Sequence, residues 1–267
     1  MSITPILKYP RTPHLEGSRL QPGDEDLNRI PFSAIRGKNL AVEEKCDGAN
    51  CAVSFGGDGT LLLQSRGHYL TGGYRERHYD LLKTWAGAHR EAFYAVLGTR
   101  YVMYGEWMYA KHAIFYDALP HYFLEFDVFD RQLGVFLDTD ARRKLLAPLP
   151  VVSVPVLAQG KFDGKKELLS LLGKSHYITA NHAESLETTC KSLCLDTAKV
   201  FAETDDTDTM EGLYIKVEEN GTVVDRLKFV RASYSQQILD GSTPWIDRPI
   251  VPNGLNVPID SLFLPKI

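Results

Sequence analysis

The pattern of apolar and polar positions divides the chain into short strand-like runs and longer stretches with helical spacing. Residues 39–45 and 51–55 read as strands on either side of a loop, and a third strand returns over 60–65 after a turn at Gly56-Gly-Asp-Gly. Between residues 74 and 97 the apolar side chains of Leu81, Leu82, Trp85, Ala88, Ala92, Phe93 and Val96 recur with helical period, which predicts a helix. Aromatic-rich strands follow at 101–109 and 122–129. Helices are predicted over 139–147, about 163–173 and about 183–202. Residues 211–218 and 222–231 form a hairpin around Glu219-Asn-Gly. The first thirty-odd residues, rich in Pro, Gly and charge, read as an extended arm. The tail carries Pro244, Pro249, Pro252, Pro258 and Pro265, which predicts an extended wrap or a short cap. No internal repeat stands out. The expected class is α+β, with antiparallel sheets flanked by helices.

Composition narrows the picture only a little. A chain of 267 residues suits one large domain, or one with a small appendage. No apolar run approaches a membrane span, and the N-terminus lacks the order of a signal peptide, so a cytoplasmic protein with no membrane partner is expected. Cys46, Cys51, Cys190 and Cys194 contain no C-x-x-C pair and read as small buried hydrophobes. The net charge of −4 neither announces nor excludes a nucleic-acid partner. Acids gather at 203–208, while basic residues gather at 75–78, 142–144 and 226–231.

The most informative segment is Glu43-Glu44-Lys45-Cys46-Asp47-Gly48-Ala49-Asn50, where a strand ends in a tight turn. A glycine there suits a backbone conformation that other residues resist. A lysine beside acids is ordinarily a solvated ion pair. It becomes a covalent nucleophile if its proton is removed, and nearby cations or desolvation favour that. Attack on the α-phosphate of a nucleoside triphosphate would give a phosphoramide and release pyrophosphate. Such a site needs acids for a divalent metal and further basic groups for phosphate. Strand contexts later in the chain supply that set: Arg66 at a strand end, Glu106 within an apolar strand, aromatic faces at 122–129, and Glu211 before a hairpin. Arg226 and Lys228 project to one side of their strand by its period of two. Each has an ordinary structural explanation when taken singly.

Together these segments resemble the covalent nucleotidyltransferase superfamily of ATP-dependent RNA ligases, DNA ligases and mRNA capping enzymes. Lys45-Cys-Asp-Gly resembles its first motif, followed in order by Ser65-Arg-Gly, Tyr104-Gly-Glu106, Phe126-Asp-Val, Glu211-Gly-Leu-Tyr-Ile-Lys216 and Arg226-Leu-Lys228. Asn50, two places after the motif glycine, is similar to the RNA ligase 2 branch; DNA ligases and capping enzymes carry Arg there. Too few residues follow Arg231 for the OB-fold domain of those enzymes. The resemblance implies an α+β nucleotidyltransferase (ATP-grasp-like ligase) domain without an OB-fold domain. It would be divided into an arm (1–34), an adenylyltransferase domain (35–235) with a helical insertion at about 139–202, and an extension (236–267).

The resemblance also implies roles. Lys45 would be the nucleophile that carries AMP from ATP. Glu44 and Phe126 would hold adenine. Asn50 and Arg66 would contact the sugar and the phosphates or an RNA 5′ end. Glu106 and Glu211, with Asp47, would hold Mg2+ or Mn2+. Lys216, Arg226 and Lys228 would face the triphosphate, Lys228 at the α-phosphate, with Arg226 standing where many relatives have Lys. The substrate would be RNA with 3′-OH and 5′-phosphate ends, and an end-healing kinase or phosphatase is a partner such a ligase would use. Arg11, His14 and Arg19 in the arm suit contact with pyrophosphate or RNA and equally a surface arm fixed by its prolines, so they stay outside the predicted site. The rival readings are a capping-type guanylyltransferase or DNA ligase, a non-catalytic RNA-binding relative, and a nucleotide-binding protein with no RNA partner.

Overall fold

The computed structural model describes residues 5–20, 23–24, 26–234 and 249–266. Among these, twelve strands belong to one sheet. Its main path runs β10 (Val156–Gly160), β3 (Leu40–Lys45), β11 (Gly212–Glu219), β12 (Thr222–Val230), β8 (Val135–Leu137), β7 (Phe123–Asp130), β6 (Tyr101–Trp107), β4 (Ala49–Phe55), β5 (Leu61–Ser65). All pairs on this path are antiparallel. Two short strands of the arm, β1 (His14–Leu15) and β2 (Arg29–Ile30), pair in parallel beside β12, and β9 (Val152–Ser153) pairs in parallel with β7.

The strands of the apolar runs form because both of their faces are covered. Ala41, Val42, Cys51, Ala52, Val53, Val102, Met103, Val128 and Ile215 are fully enclosed. One core packs β4–β7 against α1 (Asp80–Ala88) and α2 (Arg90–Leu97), with Trp85 stacked 5.1 Å from Phe123. A second packs β3, β11 and β12 against Leu15, Phe32, Phe162 and Leu168. Two helices predicted as continuous are interrupted. The 74–97 stretch becomes a 3-10 turn (Tyr74–Tyr79), α1 and α2, broken at His89, whose Nε2 meets the Leu262 carbonyl at 2.9 Å. The 183–202 stretch becomes α5 (His182–Ser192) and α6 (Thr197–Ala202). Between them Cys194 takes φ 54°, and Asp196 caps α6 by accepting from the Lys199 amide. The helix expected over 163–173 shortens to α4 (Lys165–Leu169), while α3 (Thr139–Leu146) keeps its place.

The arm is a packed part of the fold. Tyr9, His14 and Leu15 are buried. The tail over 249–266 lies along the domain through bridges Ala110↔Pro252 and Leu119↔Leu255 and buries Leu262, whereas Pro244 lies outside the described residues. Among the described residues no helix is long and apolar enough to cross a membrane.

Candidate active site

Strand register builds the site. Lys45 ends β3 and stands opposite Gly212, the first residue of β11, so Glu211 arrives directly beside it. The Lys45 Nζ lies 2.5 Å from Glu211 Oε2. Gly212 is demanded by space, since a Cβ there would stand 1.9 Å from the Phe229 carbonyl oxygen of β12. Gly48 is also a matter of space. It is absent from the positive-φ residues, and a Cβ would fall 2.8 Å from the Trp107 carbonyl oxygen and 2.9 Å from Glu106 Cγ. The expectation of an unusual backbone conformation at Gly48 is therefore corrected: the loop passes so close to the end of β6 that only hydrogen fits.

These elements enclose a cleft of about 1010 Å³, a volume suited to a nucleotide-sized ligand. Lys45, Glu44, Asp47, Asn50, Arg66, Glu106, Phe126, Glu211 and Lys228 all line it. Asn50 faces Glu106 across the β4–β6 pair, and Arg66 follows the end of β5.

Charge in the cleft is unbalanced toward acid. Burial opposes the Lys45 charge, but Glu211, Glu106 and Asp47 outweigh it and hold the ammonium above its ordinary range. This reverses the expectation of a depressed lysine, because acids rather than cations surround the amine. Glu106 is pushed up to about 8 by burial, with Glu211 and Asp47 adding to the rise and Lys45 and Arg66 opposing it. A divalent cation near Glu106 and Glu211 would relieve both distortions.

Asp47 has a second duty. Its Oδ2 accepts from the amides of Ala113 and Ile114 at 2.8 and 2.9 Å, which ties the Lys45 loop to that segment. Among the described residues no group of three or more His, Cys, Asp and Glu side chains is arranged to hold a metal, so Glu106, Glu211 and Asp47 do not form a preformed triad. Glu44 is fully buried. Its carboxylate accepts from Ser175 Oγ at 2.5 Å and from the His176 amide at 3.1 Å, and it meets His176 Nδ1 at 2.7 Å. Phe126 is met edge-on by Tyr9 at 5.0 Å.

Two predicted triphosphate contacts are not among the cleft-lining residues. Lys216 is fully buried, 2.9 Å from Glu43 and 3.4 Å from Asp127. Arg226 lies over the Phe136 ring at 4.1 Å and reaches Asp127 at 3.5 Å. Both belong to a buried network completed by Arg142, which bridges Glu43 and Glu125, and by the Tyr9 hydroxyl, which donates to Asp127 at 2.5 Å. Sequence reasoning passed over Tyr9, Glu43, Asp127, Arg142, Ser175 and His176. The one available signal was acids placed inside apolar strands at 43, 125 and 127, which need buried partners.

An antiparallel α+β sheet flanked by helices is the fold this chain shares with solved RNA ligases. A lysine-to-alanine variant of Naegleria gruberi RNA ligase, solved with ATP and Mn, superposes with a TM-score of 0.50 at 16% identity, covering 79% of this chain and 54% of that one. A lysine-to-methionine variant of the same ligase, solved with AMP and Mn, gives 0.49 at 16% identity, covering 76% and 52%. The chain thus spans about half the length of these ligases. Residues 38–230 match the RNA ligase family, and the chain belongs to that family. No curated protein sequence matches it.

Proposed function

We propose that the protein is an ATP-dependent RNA ligase that joins 3′-OH and 5′-phosphate RNA ends in RNA repair, through AMP carried on Lys45. The observation that carries this reading is the Lys45–Glu211 pair at the wall of a nucleotide-sized cleft, inside the stretch that matches the RNA ligase family. Lys45 must first surrender a proton. Its Nζ lone pair then forms a bond to the α-phosphorus, and the bond from that phosphorus to the pyrophosphate oxygen breaks. AMP would next pass to an RNA 5′-phosphate, and a 3′-hydroxyl would displace it. Glu44 and Phe126 are suited to the base, Asn50 and Arg66 to the sugar and phosphates, and Lys228 to the α-phosphate, all from positions on the cleft wall.

Mg2+ or Mn2+ fits the acid excess, with Glu106 and Glu211 as its holders and Asp47 kept at its amides. Such an ion would supply neutralising charge and release Lys45 from Glu211. The complex of the Naegleria gruberi ligase with ATP and Mn is consistent with that pairing. We assign the adenylyltransferase unit to residues 35–235; the described residues of the arm and the tail over 249–266 pack against it.

The test is to incubate the protein with a divalent metal and ATP labelled at the α-phosphate, beside GTP and a Lys45→Ala control. Label from ATP that Lys45→Ala abolishes is the expected result. Label from GTP would transfer the reading to a capping-type enzyme. No label, with an intact mass showing the bare chain, would sink the ligase reading in favour of an RNA-binding relative.

A further inference from the structure

The arm brings a carboxylate into the same cleft. Asp24 lines it, with Oδ2 held by Lys228 Nζ and, at 3.1 Å, by His14 Nε2. Arg11 stands 3.7 Å from Oδ1. A carboxylate only accepts, so the imidazole Nε2 carries the proton and donates it. One ammonium, one imidazole N–H and one guanidinium thus converge on a single anion, which is the donor set of a phosphate site.

The donors are built in. His14 is fully buried, stands opposite Lys228 in the parallel β1–β12 register, and has Nδ1 2.7 Å from Ser18 Oγ. Ser18 Oγ in turn accepts from the Val230 amide at 2.9 Å. The Lys228 amide donates to the Pro13 carbonyl at 2.9 Å. Arg11 is oriented by Asp26, which takes two of its nitrogens at 2.6 Å. The donors also sit within electrostatic reach of the nucleophile, since the Lys45 charge acts on both His14 and Lys228. Burial disfavours the Lys228 charge, and Asp24 offsets that cost while no phosphate is present.

We propose that His14 and Arg11, next to Lys228 at the α-phosphate, form the subsite for the phosphates that leave as pyrophosphate, and that Asp24 bridges Lys228 and this subsite until the triphosphate displaces it. The assignment rests on the reading of Lys45 as the nucleotidyl acceptor. A carboxylate and a phosphate cannot share these donors without repulsion, so Asp24 competes with the nucleotide and sets its affinity.

The experiment measures binding of inorganic pyrophosphate with Mn2+ by calorimetry, on Lys45→Ala protein with and without Asp24→Asn. Removing the competing charge is expected to tighten binding roughly tenfold. Arg11→Ala in the same background is expected to weaken it several-fold. Asp24→Ser serves as a second variant, and thermal midpoints verify that each folds. Unchanged or weaker pyrophosphate binding in both Asp24 variants overturns the proposal, because Asp24 would then merely position Lys228. A 5′-phosphorylated RNA oligonucleotide is the other source of the same chemistry. If it alone binds tighter, the assignment to pyrophosphate is overturned. The two readings fail separately: a Lys45-intact protein that never takes label defeats the ligase reading, whereas normal labelling with no gain in pyrophosphate affinity defeats this one.

Discussion

Two clusters of charge lie close together along the same strands, and they are built on opposite principles. Behind the cleft wall, which Glu43 reaches, Glu43, Glu125 and Asp127 meet Arg142, Lys216 and Arg226, three acids against three bases. Glu43, Glu125, Asp127, Arg142 and Lys216 are fully buried, and the network joins β3, β7, β11 and β12 to α3. In the cleft wall, Glu211, Glu106 and Asp47 press on the one amine of Lys45, and that wall opens to a large cavity. The balanced cluster acts as scaffold, because a buried charge is tolerable only when paired. The unbalanced cluster leaves a deficit of positive charge that a cation and a nucleotide can complete, which is where function-shifted ionisation is expected.

The comparison is easiest to break at its extremes. Lys45→Ala should lose all covalent label, and Lys45→Arg should as well, since a guanidinium keeps the charge but yields no nucleophile. Intact mass after incubation with ATP reads both. Arg142→Ala should destabilise the fold by about 3–5 kcal/mol, because buried Glu125 would lose its ion-pair partner and Glu43 would keep only Lys216 of its two. Urea unfolding checks this, and an effect under about 1 kcal/mol would mean the network is not scaffold.

Glu106→Gln should separate function from stability. Activity should fall on the order of 100-fold as a charge-stabilising group is lost. The ligand-free protein should instead gain stability. In the fold Glu106 holds its proton up to about 8, against the ordinary 4.5, so between those values the folded state binds more protons than the unfolded chain. Wild-type stability therefore falls as pH rises through that window. The glutamine variant should lack that loss and melt higher at pH 8–9, by about 2–4 kcal/mol. Equal melting of the two proteins at pH 9 would show that Glu106 is not strained. At the small end, the surface pair Lys191–Glu187 on α5 lies 2.6 Å apart with both side chains well exposed. Lys191→Ala should move stability by no more than about 0.5 kcal/mol, a baseline for pairs that belong to neither cluster.

The strands that bear the motifs were legible because alternation and aromatic runs are local signals. The breaks at His89 and Cys194 were not, because they answer to contacts and backbone geometry that helical spacing does not report. The cleft-wall residues were readable as a set through motif order. Lys216 and Arg226 were read as phosphate contacts by the same order, yet period-two alternation on paired strands says only which face a side chain takes. Whether that face meets the cleft or the buried acids depends on what packs against it, here Tyr9, Phe136 and Asp127.

The sequence by itself determined the α+β class, the hairpin at Asn220-Gly221, the seven strands that bear the motifs and the nucleophile candidate, all consequences of short-range pattern and residue chemistry. By contrast, β1, β2 and β8 were not read from it, and β9 and β10 lie within the stretch expected to be a helical insertion. Tertiary structure alone decided which charges meet. Lys45 finds Glu211 across 166 residues of chain, and Lys228 finds Asp24 across 204. Register between distant strands sets those encounters. It is fixed by the burial of whole sheet faces, which no local pattern encodes.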